Sequence, residues 1–145
     1  CKDWGKWFCA IKDDKIIAVA GCHPLPEVSP NAWRILFRGC EFPNKDTHKG
    51  LSKYNWYSIT WREFIPQFIE WCPSKELYIT TNIDNEHSNG KTSRNHKLMR
   101  LLAKQNILDK YDDMVLYYTD QTVWKLNISE YTRRRKELDE VGHRL

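Results

Sequence analysis

The chain has 145 residues, of which 41% are hydrophobic and 29% are charged, and its formal net charge is +4. These values are typical of one folded globular domain; they exclude a disordered polar chain and the strong basicity of a dedicated nucleic-acid binder. No apolar run approaches the length of about 18 residues that a membrane-spanning helix needs, and no secretory signal pattern opens the sequence. We therefore expect a cytoplasmic protein with no membrane partner.

The cysteines and histidines give no pattern of a metal or disulfide site. The five cysteines are an odd number and include no CxxC pair, so we expect reduced, mostly buried thiols. No His or Cys pair has the short spacing of zinc ligands, and we predict no metal.

The first part of the chain predicts three strands. Two apolar runs, Trp7–Ile11 and Lys15–Cys22, flank Asp13 and Asp14, which is typical of a hairpin connection. The second run is apolar at almost every position, which favours a strand inside the sheet. Ala32–Phe42 predicts the third strand, and Gly39 within it indicates a bulge or a close approach to the backbone.

A long basic loop and a helix follow. Pro43–Tyr57 shows no sustained periodicity, and loops of this length are usually functional or mobile. Thr60 and Glu63 fit a capping box, and apolar residues recur at helical spacing after them. A helix is predicted over 60–72, with a bend near Ile65 because Pro66 interrupts the hydrogen-bond ladder.

The second half of the chain predicts three strands and two helices. The order is a strand, a loop, a helix beginning at Ser93, two strands joined as a hairpin, and a polar helix. Asn106 is predicted to take the left-handed position that ends the first of these helices. The other predicted bounds are Glu76–Asn82, Met114–Thr119, Thr122–Leu126, a turn at Asp120 and Gln121, and the helix Ser129–Val141.

The segment Glu76–Ile107 resembles the strand-to-helix segment of the GNAT superfamily of N-acetyltransferases, whose helix pattern is roughly NxxAxxLYxxxGF. The residues at those spacings are Asn95, Leu98, Leu101, Leu102, Asn106 and Ile107. Leu102 stands where the family has Tyr, and Asn106 stands where it has Gly. The order of elements is also similar. The resemblance implies an α+β (α/β) fold in which residues 1–145 form a single GNAT-like domain, with a mixed, mostly antiparallel sheet flanked by helices. It also implies that the amino-terminal elements of the family are truncated or divergent here.

The resemblance further implies an acyl-CoA-dependent N-acyltransferase that takes acetyl-CoA as co-substrate. The acceptor would be a small-molecule or macromolecular amine. In the family, two strands diverge to admit the pantetheine arm, here Arg34–Glu41 and Leu77–Asn82, and a Gly-containing loop holds the pyrophosphate. The residues assigned to acetyl-CoA on this basis are Phe37, Gly39, Cys40, His48, Lys49, Gly50, Ser52, Asn82 and Asn95.

Three residues are candidates for proton transfer. Glu41 and His23 end strands where a general base commonly lies in the family, and a histidine titrates near neutrality. Tyr118, or its neighbour Tyr117, would supply the acid in place of the family tyrosine. The alternatives are a solvated charge for Glu41, a turn residue for His23 and a packing residue for Tyr118.

Two other functions remain open. One is a phage DNA-modifying enzyme of the Mom type, for which the basic loops and Tyr54, Trp56 and Tyr57 would contact phosphates and bases; nucleic acid is then the partner. The other is a non-catalytic binding protein of the same fold, which the replacement of the family tyrosine by Leu102 favours.

Overall fold

The computed structural model describes residues 5–39, 59–83 and 94–135. Contacts divide the chain into two compact units, Cys1–Lys75 (unit 1) and Glu76–Leu145 (unit 2). Each unit combines strands with helices, and all the described strand pairs are antiparallel. The fold is therefore α+β with mostly antiparallel strand pairing, as the sequence predicts. That residues 1–145 form a single domain stays a prediction.

Unit 1 contains a three-stranded antiparallel arrangement, with strands β1 (Lys6–Lys12), β2 (Lys15–Pro24) and β3 (Trp33–Gly39). β2 pairs with β1 on one side and with β3 on the other, which confirms its predicted position inside the sheet. Asp13 and Asp14 connect β1 to β2 with φ values of 52° and 62°. Two successive residues with positive φ form the tight turn whose twist suits a hairpin, and Asp tolerates this conformation better than most residues.

The predicted helix over 60–72 is present in two parts. A π-helix over Ile59–Phe64 leads directly into an α-helix, α1, over Ile65–Trp71. Pro66 is the second residue of α1 and cannot donate a helical hydrogen bond, and it lies where the π-helix changes to the α-helix. The side-chain amide of Gln67 donates to the Glu63 carbonyl over 2.8 Å and so satisfies one backbone acceptor at the junction. The helix changes type at Ile65, and the bend predicted near this residue stays a prediction.

One face of the unit 1 strands packs against α1. Phe8 contacts Phe68 edge to face with ring centroids 5.2 Å apart, and Trp33 contacts Trp71 at 5.0 Å. Ala20, which lies opposite Phe8 on β2, is fully buried. Such aromatic pairs contribute more than the apolar area they bury, so they hold α1 against this face.

The described part of unit 2 contains three strands and two helices. These are β4 (Leu77–Asn82), α2 (Arg94–Lys104), β5 (Leu108–Leu116), β6 (Thr119–Leu126) and a last helix, α3, described over residues 128–135. β6 lies between β4 and β5 and is antiparallel to both. β4 and β5 therefore run in the same direction, and α2 connects them.

The β5–β6 hairpin turns at a different place from the one predicted. β5 begins at Leu108, and the final pair of the hairpin is Leu116 with Thr119, so Tyr117 and Tyr118 form the turn. The predicted turn at Asp120 and Gln121 was wrong because Gln121 lies within β6 and its side chain is only 5% exposed. Burial of this polar side chain, bonded to the Leu116 carbonyl over 3.0 Å, outweighs the preference of Asp and Gln for turns.

Asn106 ends α2 in the left-handed conformation, with φ of 62°, which confirms the prediction. The amide of Asn106 donates to the Ala103 carbonyl, and the amide of Ile107 donates to the Leu102 carbonyl, both over 3.0 Å. These two bonds are those of a Schellman motif. Leu102 and Ile107 are both buried, as the hydrophobic contact that accompanies this motif requires.

The last helix begins earlier than predicted. The Asn127 side chain accepts a hydrogen bond of 3.1 Å from the Glu130 amide, and the Asn127 carbonyl accepts the first helical bond from Tyr131. Asn127 is therefore the N-cap, and the helix starts one residue before the predicted Ser129. Glu130 stands three residues after the cap, where acidic residues are favoured by the helix dipole.

Candidate functional site

His23, one of the two predicted bases, lies on β2 and is half-buried. Its Nδ1 is 2.9 Å from the Pro24 carbonyl oxygen. Because a carbonyl can only accept, Nδ1 carries the proton, and the lone pair of the neutral ring is on Nε2. Burial lowers the pKa of His23; the bond to Pro24 opposes this shift, Arg34 adds to it, and Glu27 opposes it. His23 is therefore neutral at neutral pH, with Nε2 as its proton acceptor.

The strand register places His23 among specific neighbours. His23 lies opposite Arg34 on β3, and two residues earlier Gly21 lies opposite both Trp7 and Leu36. The Trp7 indole covers Gly21 so closely that a Cβ there would lie 2.5 Å from the ring. Trp7 nevertheless remains 54% exposed. An exposed indole and a neutral imidazole therefore occur on the same face of these strands.

A second polar cluster in unit 2 joins α2 to the strands. Thr81 Oγ1 lies 2.9 Å from Nδ1 of His96 and accepts a 2.9 Å hydrogen bond from Nε1 of Trp124. The rings of His96 and Trp124 are 5.7 Å apart. Burial lowers the pKa of His96, Arg100 adds to this shift, Asp113 opposes it and Lys110 adds to it. The Thr81 hydroxyl can therefore donate to the neutral ring while it accepts from the indole.

Asp113, on β5, extends the same cluster. Its Oδ1 accepts a 2.7 Å bond from the Thr122 hydroxyl, and its Oδ2 pairs with Lys110 Nζ at 2.9 Å. The Thr122 bond and then the Lys110 bond lower the pKa of Asp113. Sequence reasoning missed this cluster. The sequence carries no clear signal for it, because Thr81 lies between two polar residues, Thr80 and Asn82, and Thr122 follows Gln121.

Tyr118 and Asn82 lie at one end of the unit 2 strands. Tyr118 is in the β5–β6 turn and not on a strand as predicted, with φ of 66° and a fully exposed side chain. Asn82 ends β4, and its Oδ1 accepts a bond of 3.4 Å from Thr119, the residue after Tyr118. Tyr118 as acid and Asn82 as acetyl-CoA contact stay predictions.

The other predicted site residues are described only in part. Phe37 and Gly39 lie on β3, opposite Ala20 and Ala18, and Asn95 lies in the first turn of α2. The remaining residues lie outside the described ranges: Glu41, Cys40, His48, Lys49, Gly50 and Ser52. The divergence of Arg34–Glu41 from Leu77–Asn82 also stays a prediction.

The described cysteines lack the features of a nucleophile. Cys22 and Cys72 are buried and Cys9 is exposed. Burial, and then the neighbouring Cys72, raise the pKa of the Cys22 thiol far above its ordinary value, which disfavours a thiolate.

Within residues 5–39, 59–83 and 94–135, no three His, Cys, Asp or Glu side chains are grouped to hold a metal ion. No helix in that part of the chain is both long and apolar enough to cross a membrane.

The chain matches none of the protein-family models against which it was compared, and no curated protein matches it.

Proposed function

We propose that the chain is an acyl-CoA-dependent N-acyltransferase that transfers an acetyl group from acetyl-CoA to an amine. The order of elements in unit 2 carries this proposal: β4 leads through α2 into β5, which runs in the same direction, and β6 returns antiparallel. This order is similar to the GNAT core that Glu76–Ile107 resembles. The left-handed Asn106 also stands where the family pattern has a glycine, the residue that adopts this conformation most easily.

His23 supports the proposal with a suitable base. An amine is protonated at neutral pH and must lose a proton before its nitrogen can attack a thioester. The neutral ring of His23 presents Nε2 as the acceptor because Nδ1 is held by Pro24. Its lowered pKa keeps the ring unprotonated between turnovers.

The proton balance of the transfer is simple. His23 takes one proton from the ammonium group and later releases it to water. The amine nitrogen then forms a bond to the acetyl carbonyl carbon as the bond from that carbon to sulfur breaks. The second proton of the nitrogen neutralises the departing thiolate, for which Tyr118 or solvent is the carrier. The products are an N-acetylated amine and free coenzyme A.

Acetyl-CoA is the co-substrate in this proposal. In the sequence, Lys49 supplies positive charge next to Gly50 and His48 supplies a ring N–H donor, and small residues at such a site allow backbone amides to approach phosphate oxygens. A Gly50→Asp substitution would place negative charge beside the pyrophosphate. We expect acetyl-CoA at about 1 mM to raise the melting temperature of the parent protein by several degrees, as micromolar binding requires.

The matched control for that substitution is Gly90→Asp, which adds the same charge at a second glycine that stands next to a lysine, Lys91, in the sequence. The expected result is loss of the acetyl-CoA shift in Gly50→Asp and its retention in Gly90→Asp. Equal shifts in both variants would show that the Gly50 loop does not hold the phosphates. No shift in the parent protein would contradict the acyltransferase proposal.

Measurements of turnover test whether His23 is the general base. Release of coenzyme A would be measured with a panel of amines, and His23→Gln should lower kcat about 100-fold or more while the acetyl-CoA shift persists. Glu41→Gln measures the alternative base in the same assay. If Glu41→Gln alone lowers kcat, His23 is not the base.

Binding and turnover measurements on the parent protein distinguish the proposed function from the other two functions. Binding of duplex DNA with a steep salt dependence, without any acetyl-CoA shift, would favour DNA modification of the Mom type. An acetyl-CoA shift without turnover on any amine would favour a non-catalytic binding protein.

A further inference from the structure

We infer that the face of the unit 1 strands around Trp7 and His23 binds the acceptor, and that it selects small amines with an apolar or aromatic body. This assignment rests on the proposed acyltransferase function and names its substrate class. The face, called the Trp7 face below, consists of Trp7, Gly21, His23, Arg34 and Leu36.

These five residues point to the same side because of the strand register. Trp7, Gly21 and Leu36 are directly opposite one another across β1, β2 and β3, and His23 and Arg34 form the next row on that side. Residues directly opposite in antiparallel strands share a face, and residues two apart on one strand also share it. The intervening residues Cys22 and Ile35 are buried on the other side, with the residues that pack on α1.

Two glycines shape the Trp7 face. Because Gly21 has no side chain, the Trp7 indole can lie flat against β2. Gly5, with φ of 109°, approaches the Cys22 carbonyl so closely that no side chain would fit, and a Cβ there would lie 3.2 Å from His23 Cα. The indole therefore lies low beside Gly21, and Gly5 itself places no side chain against His23.

The spacing suits an amine held between the two rings. Trp7 and His23 are a diagonal cross-strand pair, for which the backbone separation is about 7–8 Å, within reach of aromatic side chains. The face of an indole attracts a cation through its negative π-surface, so an ammonium group over Trp7 would lie close to the imidazole that deprotonates it. The exposed part of Trp7, 54% of the side chain, offers apolar area for the body of the acceptor.

The exposed apolar area of Trp7 separates two classes of amine. The ring of an arylalkylamine can pack against the exposed indole, whereas the thin aliphatic chain of a polyamine covers little of it. Polyamines should therefore be poor acceptors, and arylalkylamines should be good ones.

The test compares phenethylamine with spermidine as acceptors. With phenethylamine, Trp7→Ser should raise KM about fivefold to tenfold and leave the acetyl-CoA melting shift unchanged. Trp7→Phe retains a ring and should restore most of the affinity. Ile11→Ser is the matched control because Ile11 is 64% exposed on the same strand but four residues from Trp7; its KM should equal that of the parent protein.

Two results would overturn the acceptor site: efficient turnover of spermidine in preference to phenethylamine, or an unchanged KM in Trp7→Ser. Direct titration of phenethylamine without acetyl-CoA separates this inference from the proposed function. Saturable binding that Trp7→Ser abolishes supports the Trp7 face even if no acetyl group is transferred. If phenethylamine does not bind and the parent protein instead dimerises through Trp7, the face is a contact between two copies and the inference is wrong.

Discussion

Trp124 donates its indole N–H to Thr81 Oγ1 over 2.9 Å, and both side chains are buried, with 3% and 5% of their surfaces exposed. An indole nitrogen is a donor only, so the Thr81 hydroxyl is its acceptor and not its donor. The hydroxyl proton is then available to Nδ1 of His96, also at 2.9 Å. The three residues form a directional chain from Trp124 through Thr81 to His96.

This chain predicts that Thr81→Val destabilises the protein more than Thr81→Ser does. Valine keeps the shape of threonine but leaves the buried indole N–H without its acceptor, which costs about 1–3 kcal/mol. Serine keeps the hydroxyl and loses one methyl group, which costs about 1 kcal/mol. Urea denaturation at neutral pH measures both changes. Equal free energies of unfolding for the two variants would show that the Trp124 bond contributes nothing.

The pH dependence of stability follows from the histidine in the same chain. The pKa of His96 is lowered in the folded state, mainly by burial and further by Arg100, so the folded protein favours the neutral ring. The stabilisation is complete above the unfolded pKa of about 6.5 and is lost as the pH falls through that value towards the lower folded pKa. We therefore expect the free energy of unfolding to decrease between about pH 7 and pH 5.

Replacing His96 tests this prediction directly. His96→Gln removes the titrating group, so the slope of stability against pH should become shallower in that window. Asp113→Asn is the contrasting variant. The pKa of Asp113 is lowered by Thr122 and then Lys110, so the stability that the ionised carboxylate contributes should be lost only below about pH 4. Asp113→Asn should therefore leave the slope between pH 7 and pH 5 almost unchanged. If the free energy of unfolding of His96→Gln depends on pH as steeply as that of the parent protein, other groups produce the slope.

The order of elements could be predicted from the sequence because it depends on local patterns. Apolar runs predicted the strands of unit 1, and a helical period predicted a helix over 60–72. The π-helical form of its first part, Ile59–Phe64, was not predicted. The left-handed Asn106 was predictable for the same reason, since the end of a helix is specified by a few adjacent residues.

Side-chain networks could not be predicted in this way. Thr81 and Trp124 are 43 residues apart in sequence, and their contact depends on the register of β4 with β6. The turn of the β5–β6 hairpin was misplaced because Asp120 and Gln121 have turn-forming side chains, whereas the actual turn residues, Tyr117 and Tyr118, do not. Tertiary burial of Gln121 decided the register.

Asn106 offers a test of the end of α2. Its left-handed conformation is tolerated by Asn and strained for a residue with an ordinary Cβ, so Asn106→Ala should cost about 1 kcal/mol. Asn106→Gly should equal or exceed the stability of the parent protein because glycine has no such penalty. Thermal unfolding measures both. If the Asn106→Ala and Asn106→Gly variants are equally stable, the left-handed conformation of residue 106 is not what maintains the two Schellman hydrogen bonds.

The β5–β6 turn offers the complementary case, in which the natural residue is the strained one. Tyr117 and Tyr118 have φ values of 53° and 66°, the conformation of a two-residue hairpin turn that favours Asn and Gly. Tyr118 is fully exposed, so burial of its side chain does little to offset the strain. We expect Tyr118→Gly to stabilise the protein by up to about 1 kcal/mol, since relief of strain exceeds the added entropy of the unfolded chain.

Two further variants separate the backbone from the phenol. Tyr118→Val keeps the strain and adds a branched Cβ, so it should lower the melting temperature below that of the parent protein. Tyr118→Phe keeps the ring and the turn, so its stability should be unchanged. If Tyr118→Phe nevertheless lowers turnover with acetyl-CoA and phenethylamine, the hydroxyl has a role in proton transfer, and the strained turn is retained because it presents that group to the substrate. If turnover is also unchanged, Tyr118 is not the acid, and solvent must protonate the thiolate.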